Sequence, residues 1–119
     1  MLLPSQMEST YIEDKIFDKT NFKETPLAKG EYENCTFKNC DLSNANLSAI
    51  KFTDCEFTAC NLSLAQLTNT AFRDVIFKEC KMLGLLFYDC NKFALSFSFE
   101  NCSLNHSSFY QTKINRANF

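Results

Sequence analysis

The stretch from Glu33 to Phe57, ENCTFKNCDLSNANLSAIKFTDCEF, carries a large apolar residue at every fifth place: Phe37, Leu42, Leu47, Phe52 and Phe57. A helix turns every 3.6 residues and a strand alternates every two, so neither keeps every fifth side chain on one face over this length. The series runs unbroken from Ile12 to Phe87, fails at Lys92, and resumes two residues late at Phe99, Leu104, Phe109, Ile114 and Phe119. A smaller residue, such as Cys35, Cys40, Ala45, Cys55 or Cys60, stands two places before many of these positions. With only two glycines and two prolines in the chain, the many turns such a repeat needs cannot rest on glycine.

A five-residue repeat with two inward and three outward positions is satisfied by a coil of four sides, one repeat per side. Successive coils then stack at the spacing of paired strands, about 4.8 Å. Residues twenty apart must lie above one another, and the letters test this. One column reads Phe17, Phe37, Phe57, Phe77 and, after a two-residue correction, Phe99 and Phe119; another reads Cys40, Cys60, Cys80 and Cys102 under the same correction. The expected fold is therefore all-β, a quadrilateral β-helix of about five coils over residues 12–119, with 1–11 as an N-terminal cap or tail. A two-residue bulge is expected near 91–97, with Phe93 or Leu95 taking the inward place that Lys92 cannot fill. The C-terminal end is expected to be open or truncated, and its unpaired edge invites a homodimer.

Composition excludes several classes of function. A net charge of −2 argues against direct binding of nucleic acid, which favours a basic surface. The opening MLLPSQMEST has no basic leader followed by an apolar run, and no segment approaches the roughly 18 to 20 apolar residues of a membrane span, so a cytosolic protein without a membrane partner is expected. The seven cysteines are odd in number, and thiols stacked in a ladder do not converge on a metal ion. They read as small, reduced hydrophobes inside a narrow tube. His106 is the only histidine, and no phosphate-cradling or zinc-binding motif is present, so neither catalysis nor a cofactor is expected.

Two outer features are candidate sites. Outward residues at twenty-residue spacing give Asp14, Asn34, Asp54 and Asp74, and with neighbouring Glu33 and Glu56 they form a candidate acidic face of Asp14, Glu33, Asp54, Glu56 and Asp74. Lys51, Arg73, Lys78 and Lys81 interrupt it, and a solvated charged face is the plainer reading. The segment MLGLLFYDC leaves Leu83, Leu86 and Tyr88 outward, with Leu64 one coil below and Tyr110 one coil above, a candidate apolar partner patch unless a terminal segment covers it.

The repeats resemble the pentapeptide-repeat family, whose consensus is roughly A(D/N)LXX and whose fold is a right-handed quadrilateral β-helix. The resemblance spans about residues 12–119. Within that family the NCD step at Asn39, the SNANLS step at Ser43 and the FTDCEF step at Phe52 are most similar to quinolone-resistance (Qnr-type) members. That resemblance implies a rod of DNA-like size and charge that binds DNA gyrase or topoisomerase IV and catalyses nothing. The longer projecting loops and helical C-terminal dimerisation segment of those members have no counterpart in this sequence. The alternative expectation is a structural or protein-interaction scaffold that docks an unrelated partner through the leucine and tyrosine patch.

Overall fold

The computed structural model describes residues 10–109 and the backbone of 116–118. In chain order the strands are β1 (Thr10–Glu13), β2 (Ile16–Asp18), β3 (Gly30–Glu33), β4 (Thr36–Lys38), β5 (Lys51–Thr53), β6 (Glu56–Thr58), β7 (Ala71–Arg73), β8 (Val75–Lys78), β9 (Phe97–Glu100) and β10 (Arg116–Asn118). Every strand pairing is parallel, which at this spacing demands a winding chain. The first side is the sheet β1-β3-β5-β7 and the second is β2-β4-β6-β8-β9-β10. Single bridges build the third side, Asn21 to Asp41 to Asn61 to Lys81 to Ser103, and the fourth, Asn46 to Gln66 and Leu86 to Ser108. The molecule is a quadrilateral β-helix of about five coils, as the period requires.

Most sides are joined to the next by a residue in the left-handed region. The non-glycine corners have φ between 52° and 63°, among them Asp14, Lys19, Asn34, Asn39, Asn44, Asp54, Asn69 and Asp74. Asn and Asp enter this region more cheaply than other side chains because their short polar groups bond locally. A chain almost without glycine turns its corners this way, and even Leu64 (φ 62°) and His106 (φ 62°) conform.

Inside, the Phe37, Phe57, Phe77 and Phe99 side chains are buried and stack in register. Ring centroids are 4.6 Å apart for Phe37–Phe57, 5.1 Å for Phe57–Phe77 and 5.5 Å for Phe77–Phe99. Phe52 and Phe72, on the first side, meet this column edge-on at 5.3 and 5.5 Å, the geometry that aromatic quadrupoles prefer. Phe17 stacks on Phe37 at 4.7 Å but is only partly buried, because no described coil lies beneath it.

The small inward position has a polar duty that its size alone does not suggest. Cys40, Cys60, Cys80 and Cys102 donate their S–H groups to the carbonyls of Phe17, Phe37, Phe57 and Phe77, at 3.2–3.4 Å. Thr70 and Ser107 do the same with hydroxyls, to Leu47 O at 2.7 Å and Met82 O at 2.6 Å. All seven thiols are free and buried. Burial pushes the Cys55 thiol up to about 11 and Cys90 up to about 12 from an ordinary value near 9. Because the folded values are raised, this contribution to stability is complete below about pH 9 and is lost as pH rises towards 11–12, where the unfolded chain ionises first. Urea midpoints measured across this range are therefore expected to stay level to about pH 9 and then fall; a level profile through pH 11 would contradict it.

The irregular segment differs in part from the sequence expectation. Phe93 is 74% exposed, so of the two residues expected inward only Leu95 packs against the core, partly buried. Phe97 joins it. It stands in register over Val75, a position that elsewhere holds a small residue, and reaches the rings of Phe72 at 6.1 Å and Phe87 at 5.4 Å. The register gained between Asn91 N–H on Thr70 O and Ser96 N–H on Phe72 O ends the first sheet at β7, while the second runs on through β9.

At the far end β10 sets Ala117, not Phe119, in register with Phe99. The last coil is thus shorter than the twenty-residue spacing that placed Phe119 in the column, and Phe119 lies outside the described residues.

Candidate functional site

The acidic residues converge on the corner between the first and second sides. Asp14, Asn34, Asp54 and Asp74 occupy it in successive coils, all exposed, and all at left-handed positions. Glu33 lies one residue before this corner at the end of β3, and Glu56 opens β6 just after it. The geometry sorts them. Glu56 is neutralised, with Lys78 Nζ at 3.6 Å and the Thr58 hydroxyl donating at 2.8 Å. The Tyr11 hydroxyl donates to Glu33, which raises the Tyr11 pKa. Asn34 donates its amide to Asp14 at 2.7 Å, and Ser96 donates its hydroxyl to Asp74 at 3.2 Å. The other ion pair among the described residues joins Lys51 to Glu31 at 3.3 Å on the first side. Arg73, which sequence places in the acidic face, instead sets its guanidinium 5.1 Å from the Phe93 ring centroid and donates to Phe93 O at 3.4 Å. The corner therefore keeps Asp54 and Asp74 in adjacent coils with no ion pair among the described residues. At strand spacing their repulsion is about 1 kcal/mol in water.

What sequence reasoning missed is why those residues are acidic at all. The signal was present: Asn39, Asn44, Asn69 and Ala49 hold the same position on other corners. Part of the aspartate column is thus a backbone requirement, and charge is the portion left over. Even one carboxylate per coil, about 4.8 Å, would be sparser than the one phosphate per 3.4 Å along a DNA strand, and Asn34 interrupts the column.

The apolar candidates gather around Gly84, between the third and fourth sides. Leu64, Leu83, Leu86 and Tyr88 are 57%, 36%, 42% and 38% exposed. Leu64 leans over Gly84, where an added Cβ would fall 2.7 Å from Leu64 Cδ2. Leu64, Leu67 and Leu86 line a shallow groove of about 200 Å³. Tyr110 lies outside the described residues. No group of three or more metal-ligating side chains occurs among the described residues.

Residues 30–98 match the model of the pentapeptide repeat region. No curated protein matches the chain in sequence. Among solved structures, full-length QnrB1, a plasmid-mediated fluoroquinolone resistance protein, superposes with a TM-score of 0.62 at 22% identity, covering 84% of this chain and 49% of that one. The chain thus spans about half the length of that structure. Two trypsin-treated QnrB1 variants align at TM-scores of 0.41, with 21% and 23% identity, covering 84% and 85% of this chain and 58% and 56% of theirs.

Proposed function

The chain belongs to the pentapeptide-repeat family, and we propose that it acts there as a non-enzymatic binder of a type II topoisomerase, DNA gyrase or topoisomerase IV, that relieves quinolone poisoning. The observation that carries this reading is the acidic corner, where Asp54 and Asp74 stack in adjacent coils without an ion pair among the described residues, on a solenoid whose fold is shared with a fluoroquinolone resistance protein. In this reading the two carboxylates and Glu33 meet basic residues that otherwise contact phosphate. Such contacts chiefly set the rate and selectivity of encounter and weaken with salt.

Asp54→Lys combined with Asp74→Lys tests it. Lys19 already occupies a corner at φ 54°, so lysine is compatible with this backbone and the coil is retained. Binding of the double variant to purified gyrase is expected to fall by about tenfold or more at low salt and to lose most of its salt dependence. Unchanged affinity, with the circular-dichroism spectrum preserved, would remove the corner from the interface.

A second reading rests on the leucines around Gly84. Here the protein is an interaction scaffold that docks an unrelated partner through Leu64, Leu83, Leu86 and Tyr88. Leu86→Asp is expected to abolish that docking and leave gyrase binding untouched, so the two variants separate the readings.

A further inference from the structure

On a complete step of the fourth side, backbone amides of one coil donate to carbonyls of the next. Leu47 N–H bonds Gln66 O at 3.0 Å and Ala49 N–H bonds Thr68 O at 3.0 Å, while Gln66 N–H returns to Ala45 O at 2.8 Å. One coil lower, the equivalent donors are Leu27 N–H and Lys29 N–H, and the equivalent acceptors are Asn46 O and Ser48 O. Among the described residues no backbone hydrogen bond joins 24–29 to 46–48. The Lys29 ammonium donates to both carbonyls instead, at 2.9 and 2.8 Å. A side chain fills the place of a strand.

Beside this substitution the two coils part. A cleft of about 480 Å³ opens between them, walled by Phe22, Leu27 and Leu47 and flanked by Lys23 and Lys29. Ala45, which faces it, is half-buried, whereas Ala65 in the same place one coil up is buried. Lys23 and Lys29 are the charged residues of the lining, and Lys23 also helps hold the Asp41 carboxyl below its ordinary range, so Lys29 carries most of the positive charge offered to a ligand.

We propose that this cleft is a strand-addition site for an extended acidic peptide segment of a partner protein. The segment's backbone N–H groups take over Asn46 O and Ser48 O, the Lys29 ammonium is displaced outward, and Lys29 with Lys23 then faces the segment's carboxylates. Main-chain hydrogen bonds supply the attachment and charge supplies the choice of partner. Lys29 in the free protein keeps the edge closed to indiscriminate pairing, the part that charged side chains play on exposed sheet edges. The site lies apart from the acidic corner and does not depend on the topoisomerase reading.

The test is titration of the isotope-labelled protein with the capped probe acetyl-Glu-Ala-Glu-Leu-Ser-amide, followed by amide chemical shifts. Two companion probes are used, one with backbone N-methyl groups on the central amides and one with lysine for glutamate. Shifts are expected to be confined to residues 22–29 and 43–48. The N-methylated probe is expected to bind about tenfold or more weakly, from the loss of two backbone hydrogen bonds, and the lysine probe more weakly than the glutamate one. Lys29→Met vacates the carbonyls while keeping an aliphatic stem, and is expected to bind an uncharged glutamine version of the probe more tightly than the wild type does. Absence of shifts up to millimolar probe, shifts centred elsewhere, or equal binding of the N-methylated probe would overturn the proposal. The N-methyl comparison uses the unaltered protein and decides even if Lys29→Met loses its fold.

Discussion

Replacing Phe57 by alanine is expected to lower the unfolding free energy by about 3–5 kcal/mol, enough to leave a domain of this size marginal. Phe57 has no exposed surface and sits in the middle of the aromatic column, with Phe37 stacked on one face at 4.6 Å and Phe77 on the other at 5.1 Å. Phe52 closes its edge at 5.3 Å. Neighbouring rings are held by their own strands in register, so they cannot collapse into the space, and the loss includes the cavity as well as the transferred area. Phe17, partly exposed at the first coil, is the internal comparison: Phe17→Ala should cost clearly less. Denaturant titration of the two variants checks this, and equal losses would mean that the column does not act as a stacked core.

Gly30→Val is expected to detach the first strand. Gly30 has φ 149° and pairs with Thr10 across β1 and β3, and a Cβ added there would fall 2.1 Å from the Thr10 carbonyl oxygen. That oxygen belongs to the backbone and cannot swing aside. The strain of the backbone angle and the forfeited ladder bonds together amount to on the order of 3 kcal/mol. Because β1 is the edge of its sheet, the effect is local. Asp14 N–H donates to Glu33 O at 3.0 Å and alternation turns the Ile12 amide to the same side, so hydrogen exchange at Ile12 and Asp14 should lose its protection while β5 to β8 keep theirs. Protection of β1 unchanged by the substitution would show that the pairing of Thr10 with Gly30 does not hold the strand.

The period of five made most of this fold legible, because inward and outward positions are fixed by the same count that fixes the corners. Stacking at twenty residues and the two-residue correction near Lys92 were both readable, since the phenylalanine and cysteine columns demanded them independently. What escaped was whatever depended on space rather than count. Phe97 stands where a small residue does elsewhere, and only the vacancy above Phe72 left by Lys92 makes room for it. Ala117 replaces Phe119 over Phe99 because the last coil is short, and nothing in the letters marks that shortening. Lys29 looks like any surface lysine until the missing ladder bonds of the fourth side are counted.

The candidate sites were legible only in part, for a physical reason. The aspartate column was visible as charge, but its residues also serve as left-handed corners, and a sequence does not say which demand selected them. Glu56 and Glu33 looked equivalent to the aspartates until Lys78 and Tyr11 were found engaging them. The leucines around Gly84 were recognised as outward from the period alone, yet the lean of Leu64 onto Gly84 depends on the missing Cβ.

Gyrase supercoiling in the presence of a fluoroquinolone, with this protein titrated from nanomolar to tens of micromolar, tests topoisomerase protection most directly. Supercoiling restored at low protein concentration, and not restored by the variant carrying Asp54→Lys and Asp74→Lys, is the predicted result. No rescue and no inhibition across the range would contradict the proposed function.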